Sequence, residues 1–323
     1  MHDRPMNNRL LVLGGTGFVG RQLCSTLVER AGGAAIDVLV PSRRPERAKH
    51  LQSLPTVRLT AADVHDEGQL TALLRGRDAV VNLVAILHGS DAAFERAHVA
   101  LPRTLARACV AAGVKRVVHV SALGVGADAP SRYLRSKTAG EAVLREAGLD
   151  LTVLRPSVIF GAHDRFLNLF AQLQGLFPVM PLAGAAARFQ PVWVGDVAAA
   201  IVRALDDDAT IGMTCECAGP DVFTLQELVE GAGRWSGHPR PVFGLPDALG
   251  RLQALAMECL PGEPLMSRDN LASMRVPNIA TGRLPGLAAL GITPASLAAI
   301  APGYLAPGRG PARLDAWRAR RGG

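Results

Sequence analysis

Two kinds of apolar pattern alternate along the first half of this chain. Continuous apolar runs at 9–13, 35–42, 56–63, 79–87, 114–123 and 150–161 predict strands. The segments between them, 19–31, 45–54, 67–76, 95–113 and 135–148, carry apolar residues at helical spacing, as with Leu23, Leu27 and Val28. Pro102 is expected to disturb the helix over 95–113. Several strands are apolar at nearly every position, Val80 to Leu87 being broken only by Asn82, which is expected when helices cover both sheet faces. The alternation predicts an α/β fold with a doubly wound parallel Rossmann sheet.

After Gly161 the rhythm breaks into proline-punctuated loops. A strand and helix over 190–205, a strand over 213–219 and a helix over 225–235 are predicted there. The expected division is a Rossmann core at 8–161 and a small, irregular C-terminal portion at 162–305. That portion would complete the fold, close a cleft and form the substrate or interaction region. A basic, disordered tail at 306–323 follows.

Composition refines this picture in a few places. Hydrophobic residues make up 49% and charged residues 20% of the 323, the balance of a soluble globular protein. Aromatics are 4%, so Leu, Val and Ala must fill the core. Much of the net charge of +7 comes from the last fifteen residues, where Arg309, Arg313, Arg318, Arg320 and Arg321 face only Asp315. A tail of this kind is solvated, or is drawn to an anionic membrane surface or partner. It does not make a nucleic-acid recognition module. Five scattered cysteines do not form a disulfide framework, which predicts reduced thiols and a cytoplasmic location, with peripheral attachment at a membrane surface left open. Cys215 and Cys217 read as strand residues on one face, and no metal site is expected. The first nine residues lack the apolar core of a signal peptide. No apolar run reaches the length of about 18 residues that a transmembrane segment needs.

The first strand runs into "LGGTGFVG". These glycines can be read as G-x-G-x-x-G from Gly15 or as G-x-x-G-x-x-G from Gly14. Either way, a strand before and a helix after predict a pyrophosphate held on backbone N–H groups at a helix N-terminus. Gly14 would permit the turn, Gly17 the approach of phosphate, and Gly20 close packing of helix on strand. Gly15, Thr16, Phe18 and Val19 complete the loop. At the end of the second strand, Ser42, Arg43 and Arg44 stand where an acidic residue would favour NAD, and arginine can grip a 2′-phosphate bidentately. The preferred cofactor is therefore NADP(H) rather than NAD(H). Asp63 and Val64 end the third strand, where Asp63 would meet adenine or act as a turn residue. Asn82, Leu83 and Val84, followed by Ala85, lie where the fourth strand would pass the cofactor.

A second constellation sits in "HVSALGVGADAPSRYLRSK". Tyr133 and Lys137 are four apart, on one face of a helix, and Ser121 ends the strand before it. Hydride transfer at a carbonyl carbon requires a proton to move at the oxygen, and Tyr can move it. Its ordinary pKa of about 10 is too high at neutral pH, so a nearby ammonium from Lys137 is expected to lower it. Lys137 can also bond the nicotinamide ribose, and Ser121 would orient the substrate oxygen.

The glycine loop, Ser121 and Y-x-x-x-K resemble the short-chain dehydrogenase/reductase superfamily in its extended or atypical branch, which selects the register Gly14, Gly17, Gly20. "VNLVAIL", "VVHVSALG", "SRYLRSKTAGEAVLREA", "LRPSVIFGAHDRFLN" and "QPVWVGDVAAAI" resemble the NADPH-binding accessory subunits of respiratory complex I and their bacterial relatives. The likeness covers about residues 8–305. It implies that Ser121, Tyr133 and Lys137 are the catalytic set. It also implies that Pro156 and Ser157 lie against the nicotinamide, and that Arg43 or Arg44 meets the 2′-phosphate. Two functions follow as expectations. One is an NADPH-dependent oxidoreductase, or an epimerase-like enzyme, with an unknown small-molecule substrate, linked to respiratory or quinone metabolism. The other is a non-catalytic protein whose bound NADPH is structural and whose surface docks to a membrane complex or quinone-linked partner. Among further candidates, Arg165 could hold an acidic or carbonyl group or make a structural salt bridge, Asp196 reads as a helix N-cap, His119 as core, and His88 as a loop residue that could face the cleft.

Overall fold

A computed structural model describes residues 8–32, 35–259 and 264–307. Among these, the chain forms two compact units, each assembled from separated stretches. The first takes residues up to 156, 195–217 and 281–292, and the second takes 157–194, 218–280 and 293 onward. Residues 1–7, on which the signal-peptide expectation rests, lie outside the described residues. So does the basic segment from residue 308.

The first unit is built on seven strands, β1 (Arg9–Leu13), β2 (Asp37–Ser42), β3 (Val57–Ala61), β4 (Ala79–Asn82), β5 (Arg116–Val120), β6 (Asp150–Pro156) and β7 (Thr214–Cys217). All pair in parallel, in the order β7-β6-β5-β4-β1-β2-β3. The order reverses between β1 and β4, where Leu10 to Leu13 pair with Ala79 to Asn82. In such sheets ligands bind beyond the carboxyl ends of the strands at this switch point. Leu10 to Leu13 are fully buried, as a central strand covered on both faces requires. Helices α1 (Phe18–Ala31), α2 (Glu67–Leu74), α3 (Leu101–Ala112) and α4 (Arg132–Glu146) supply the crossovers. Leu70 and Leu74 of α2, Leu105 and Cys109 of α3 and Leu144 of α4 pack on Leu11, Val80 and Val117 of the sheet.

Two elements are shorter than their apolar runs suggest. β4 stops at Asn82 rather than 87, because the Asn82 Oδ1 accepts the Val84 N–H at 3.2 Å and turns the chain out of the sheet. β6 stops at Pro156 rather than 161, the proline having no N–H for a further ladder bond. The disturbance expected at Pro102 lies just before it. Residues 96–100 form one wide turn with i→i+5 bonding inside an unbroken helical run, and α3 follows with Pro102 as its second residue.

The strand read at 213–219 joins the edge of this sheet as β7. Glu216 in β7 is buried, and its carboxylate accepts the Thr281 N–H at 2.7 Å and hydroxyl at 3.0 Å, binding the third stretch of the unit to the second. Cys215 and Cys217 are both buried there.

The second unit has its own core, in which Phe160, Leu167, Phe170, Leu228 and Leu297 pack together. Its strands are short pairs, Ile159–Phe160 with Val192–Trp193, Met180–Leu182 with Val242–Gly244 and Arg188–Phe189 with Phe223–Thr224. The helix read at 225–235 spans Leu225–Ser236, opened by a Thr224–Glu227 capping box and closed at Gly237 with φ of 76°. Helices Leu167–Leu176, Asp247–Glu258 and Leu297–Leu305 went unread in the sequence. Among the described residues no helix is long and apolar enough to cross a membrane.

Candidate functional site

The loop from β1 to α1 is shaped by its glycines, each for a different reason. Gly14 has φ of 77°, and a Cβ there would stand 3.0 Å from the Leu83 carbonyl carbon. A Cβ on Gly15 would press on Val40 at 2.8 Å, and one on Gly20 would overlap the Gly15 backbone itself. Gly17 is the exposed N-cap of α1, with no side-chain cap bond. The first N–H groups of α1 therefore have no side-chain acceptor, in a cradle that side chains would fill. These residues fit a dinucleotide pyrophosphate. Thr16, Phe18 and Val19 are partly exposed around it.

At the end of β2, Ser42 Oγ accepts the Arg44 N–H at 3.1 Å, and Arg43 and Arg44 are exposed. Asp63 is a turn residue here. Its carboxylate accepts the His65 N–H at 3.0 Å and stands 3.8 Å from Arg96. Val64 and Val84 pack against the core, and the Leu83 N–H donates to the Leu13 carbonyl at 2.9 Å. Asn82 is buried, with its Nδ2 3.2 Å from His119 Nδ1. His119 lies fully buried in β5, where burial drives its pKa well down and keeps it neutral.

Ser121 follows β5, and Tyr133 and Lys137 are one turn apart on α4, whose N-cap Ser131 accepts the Leu134 N–H. Lys137 is buried, and its Nζ donates to the Val120 carbonyl at 2.7 Å, directly before Ser121. The Ser121 Oγ is buried, and its hydroxyl is among the groups that favour the charged form of Glu141. Glu141 holds a two-pronged bond from Arg155 at 2.6 and 2.9 Å. Burial opposes its charge, but Arg155, Ser121 and Arg145 outweigh that and hold the carboxyl below its usual range.

The electrostatics differ from the expectation that Lys137 lowers the Tyr133 pKa. Burial pushes the phenol up to about 12. Burial also pulls Lys137 down to about 8, with the Glu141 charge resisting. Loss of water around both groups therefore sets the two values, with the Lys137 ammonium held on the Val120 carbonyl. A stability effect follows. Between about 8 and the ordinary lysine range the unfolded chain binds the proton that the folded chain releases, so stability rises with pH there. We expect wild-type protein to gain up to about 3 kcal/mol on a Lys137→Met variant between pH 7.5 and 10, by urea denaturation. A constant difference would mean that Lys137 does not titrate in that window.

Pro156 ends β6, and its carbonyl accepts the Leu123 N–H at 2.9 Å. Ser157 belongs to the second unit, where its Oγ donates to Asn278 Oδ1 at 2.7 Å. In the same unit Asp164, from "GAHDRFLN", organises its own loop by accepting the N–H groups of Gly161, Phe166 and Asn168 and the Tyr304 hydroxyl. The neighbouring Arg165 is exposed. Asp196, near the start of helix Val194–Asp206, is buried, and His88 is partly buried in the loop after β4. Asp164, Asn278, Glu141 and His98 were not singled out in the sequence. A buried Asp inside a motif and a Glu one turn beyond Lys137 were the available signals.

Comparisons with known proteins agree with this geometry. The NAD(P)H-binding family matches residues 14–170. NADH dehydrogenase [ubiquinone] 1 alpha subcomplex subunit 9 of Arabidopsis thaliana is 37% identical over 68% of this chain, which spans 56% of that protein's length. The protein of the same name from Mus musculus is 32% identical over 88% of this chain and 76% of its own. A ceramide reductase of Caulobacter vibrioides is 30% identical over 73% of each. In fold, the chain resembles an NADPH-dependent quinone oxidoreductase of Escherichia coli solved with NADPH. The TM-score is 0.72, with 21% identity over 90% of this chain and 97% of that one. The cradle at Gly14–Gly20, the seven-stranded switch-point sheet and these relatives lead to one conclusion: the chain belongs to the NAD(P)H-binding family of complex I alpha subcomplex subunit 9 and its relatives.

Proposed function

We propose that the protein is an NADP(H)-dependent carbonyl reductase for a hydrophobic ketone or quinone, working in respiratory or quinone metabolism. One observation carries this reading: the bond from Lys137 Nζ to the Val120 carbonyl ties the lysine to the residue before Ser121, one helical turn from Tyr133. The names of two similar proteins, a ceramide reductase and a quinone oxidoreductase, support it. Bound NADPH would supply the hydride. Tyr133, with its phenol near 12, keeps its proton at neutral pH and gives it to the carbonyl oxygen, which suits reduction rather than oxidation. Ser121 orients that oxygen, and Lys137 offers its charge to the ribose hydroxyls. The exposed Arg43 and Arg44 support selection of NADP(H) through the 2′-phosphate. An Arg43→Ala, Arg44→Ala double variant should bind NADPH about 10- to 100-fold more weakly, with NADH affinity unchanged, by nicotinamide fluorescence titration. Equal losses for both cofactors would remove the argument for NADPH.

A second reading makes the cofactor a fixed structural element in a protein that docks at a membrane surface or on a membrane complex. The relatives named as complex I subunits favour it. So do Leu249, Leu252 and Leu255, exposed along helix Asp247–Glu258 of the second unit. The rate of NADPH release separates the two. Displacement by excess NADP+ within about a second fits turnover at ordinary rates. Retention for hours, with recovery of the protein on sedimented membranes, fits a structural cofactor.

A further inference from the structure

His98 is bonded to both halves of the candidate site, yet the proposed chemistry does not use it. It is 3% exposed, in the wide turn 96–100 before α3. Its Nε2 accepts the Ile86 N–H at 3.1 Å, in the loop that leaves β4 beside the glycine cradle. An accepting Nε2 leaves the proton on Nδ1, which lies 2.8 Å from Ser136 Oγ. The Ser136 hydroxyl in turn donates to the Tyr133 carbonyl at 2.8 Å. The imidazole also meets the Tyr133 ring edge-on, centroids 5.5 Å apart at 78°, and Phe94 closes the group at 5.6 Å from His98. Gly140 of α4 makes the approach possible, because a Cβ there would overlap the His98 carbonyl oxygen.

We infer that His98 is a positioning residue, which fixes the Tyr133 ring and the first turn of α4 against the loop after β4. The inference rests on the reductase reading and deepens it. A proton donor works only within hydrogen-bond reach of its acceptor, and a displacement of about 1 Å can cost about 100-fold in rate. Every group facing the imidazole favours one neutral tautomer. Burial, with the charge of Lys137 nearby, pulls its pKa down to about 3, so the bonding pattern holds across the working pH range.

The chain has two tyrosines, Tyr133 and Tyr304. Protein carrying ring-labelled 13C tyrosine therefore gives two sets of NMR signals, assigned with Tyr133→Phe. In the NADPH-loaded His98→Leu variant the Tyr133 signal should move and its ring flips accelerate, while the Tyr304 signal stays in place. Turnover is read with phenanthrenequinone as a soluble diketone probe. Its kcat should fall about 10- to 100-fold, with KM for NADPH within about threefold. His98→Gln, which can still accept from Ile86 and donate to Ser136, should recover most of that loss. If His98→Leu does not fold, Ser136→Ala breaks the same chain of bonds from its partly exposed side and should shift the same signal. A Tyr133 signal left unmoved, or one that moves with kcat unchanged, overturns the inference. Wild-type protein that reduces no carbonyl probe overturns the reductase reading instead, and the NMR shift alone then decides the role of His98.

Discussion

Replacing Tyr133 by Phe is expected to lower kcat for a carbonyl substrate by about 100- to 10,000-fold, the usual worth of a positioned proton donor. The NADPH dissociation constant should stay within about twofold. The phenol oxygen is the group removed, and the ring keeps its contacts with His98 and Phe94. A loss confined to kcat identifies a group that acts in the transition state rather than in binding. Steady-state kinetics with phenanthrenequinone and fluorescence titration of NADPH give the two numbers. A variant with wild-type kcat would remove Tyr133 from the chemistry. Complete rescue by that variant of a cell lacking the protein would favour the structural role of the cofactor.

Arg155→Leu should produce the largest loss of stability, about 3 kcal/mol at pH 7. Glu141 is 3% exposed at its side chain and depends on the two-pronged bond from Arg155. Arg145, 3.4 Å away, gives it only partial cover. Removing Arg155 leaves a buried carboxylate without its main partner. The pH dependence follows from the depressed pKa of Glu141 in the folded protein. Its contribution is complete above the ordinary carboxylate range and disappears as pH falls through the folded value. The penalty of Arg155→Leu should therefore be greatest near neutrality and shrink on acidification, when Glu141 takes up a proton. Urea denaturation at pH 7 and pH 4.5 measures it. An equal penalty at both values would point to lost packing of the arginine stem instead.

The sheet and its cradle were legible because their causes are local. Apolar runs of strand length, helical spacing between them and a glycine cluster at the first turn each constrain a few adjacent residues. Gly14, Gly17 and Gly20 show, in turn, a positive φ, an uncapped helix start and a close helix-to-loop contact. What escaped reading depends on partners far along the chain. Ser157 is engaged by Asn278, 121 residues away, and Asp164 by Tyr304, 140 residues away. The site electrostatics escaped for a related reason. Y-x-x-x-K places two side chains on one helical face, but the Lys137 ammonium is directed by the carbonyl of a strand residue, Val120. Spacing along α4 carries no trace of that bond.

The outer edge of β6 is closed by β7, which the chain delivers only after passing through part of the second unit. A ribosome adding about 5–20 residues per second needs roughly 3–12 s to go from Pro156 to Cys217. For that interval the nascent sheet ends in an unpaired, apolar strand, the kind of edge on which another chain can pair. Residues up to 156, expressed alone, would carry that edge permanently. A soluble fragment of the nucleotide-binding unit therefore requires Thr214–Cys217 to be spliced back beside β6.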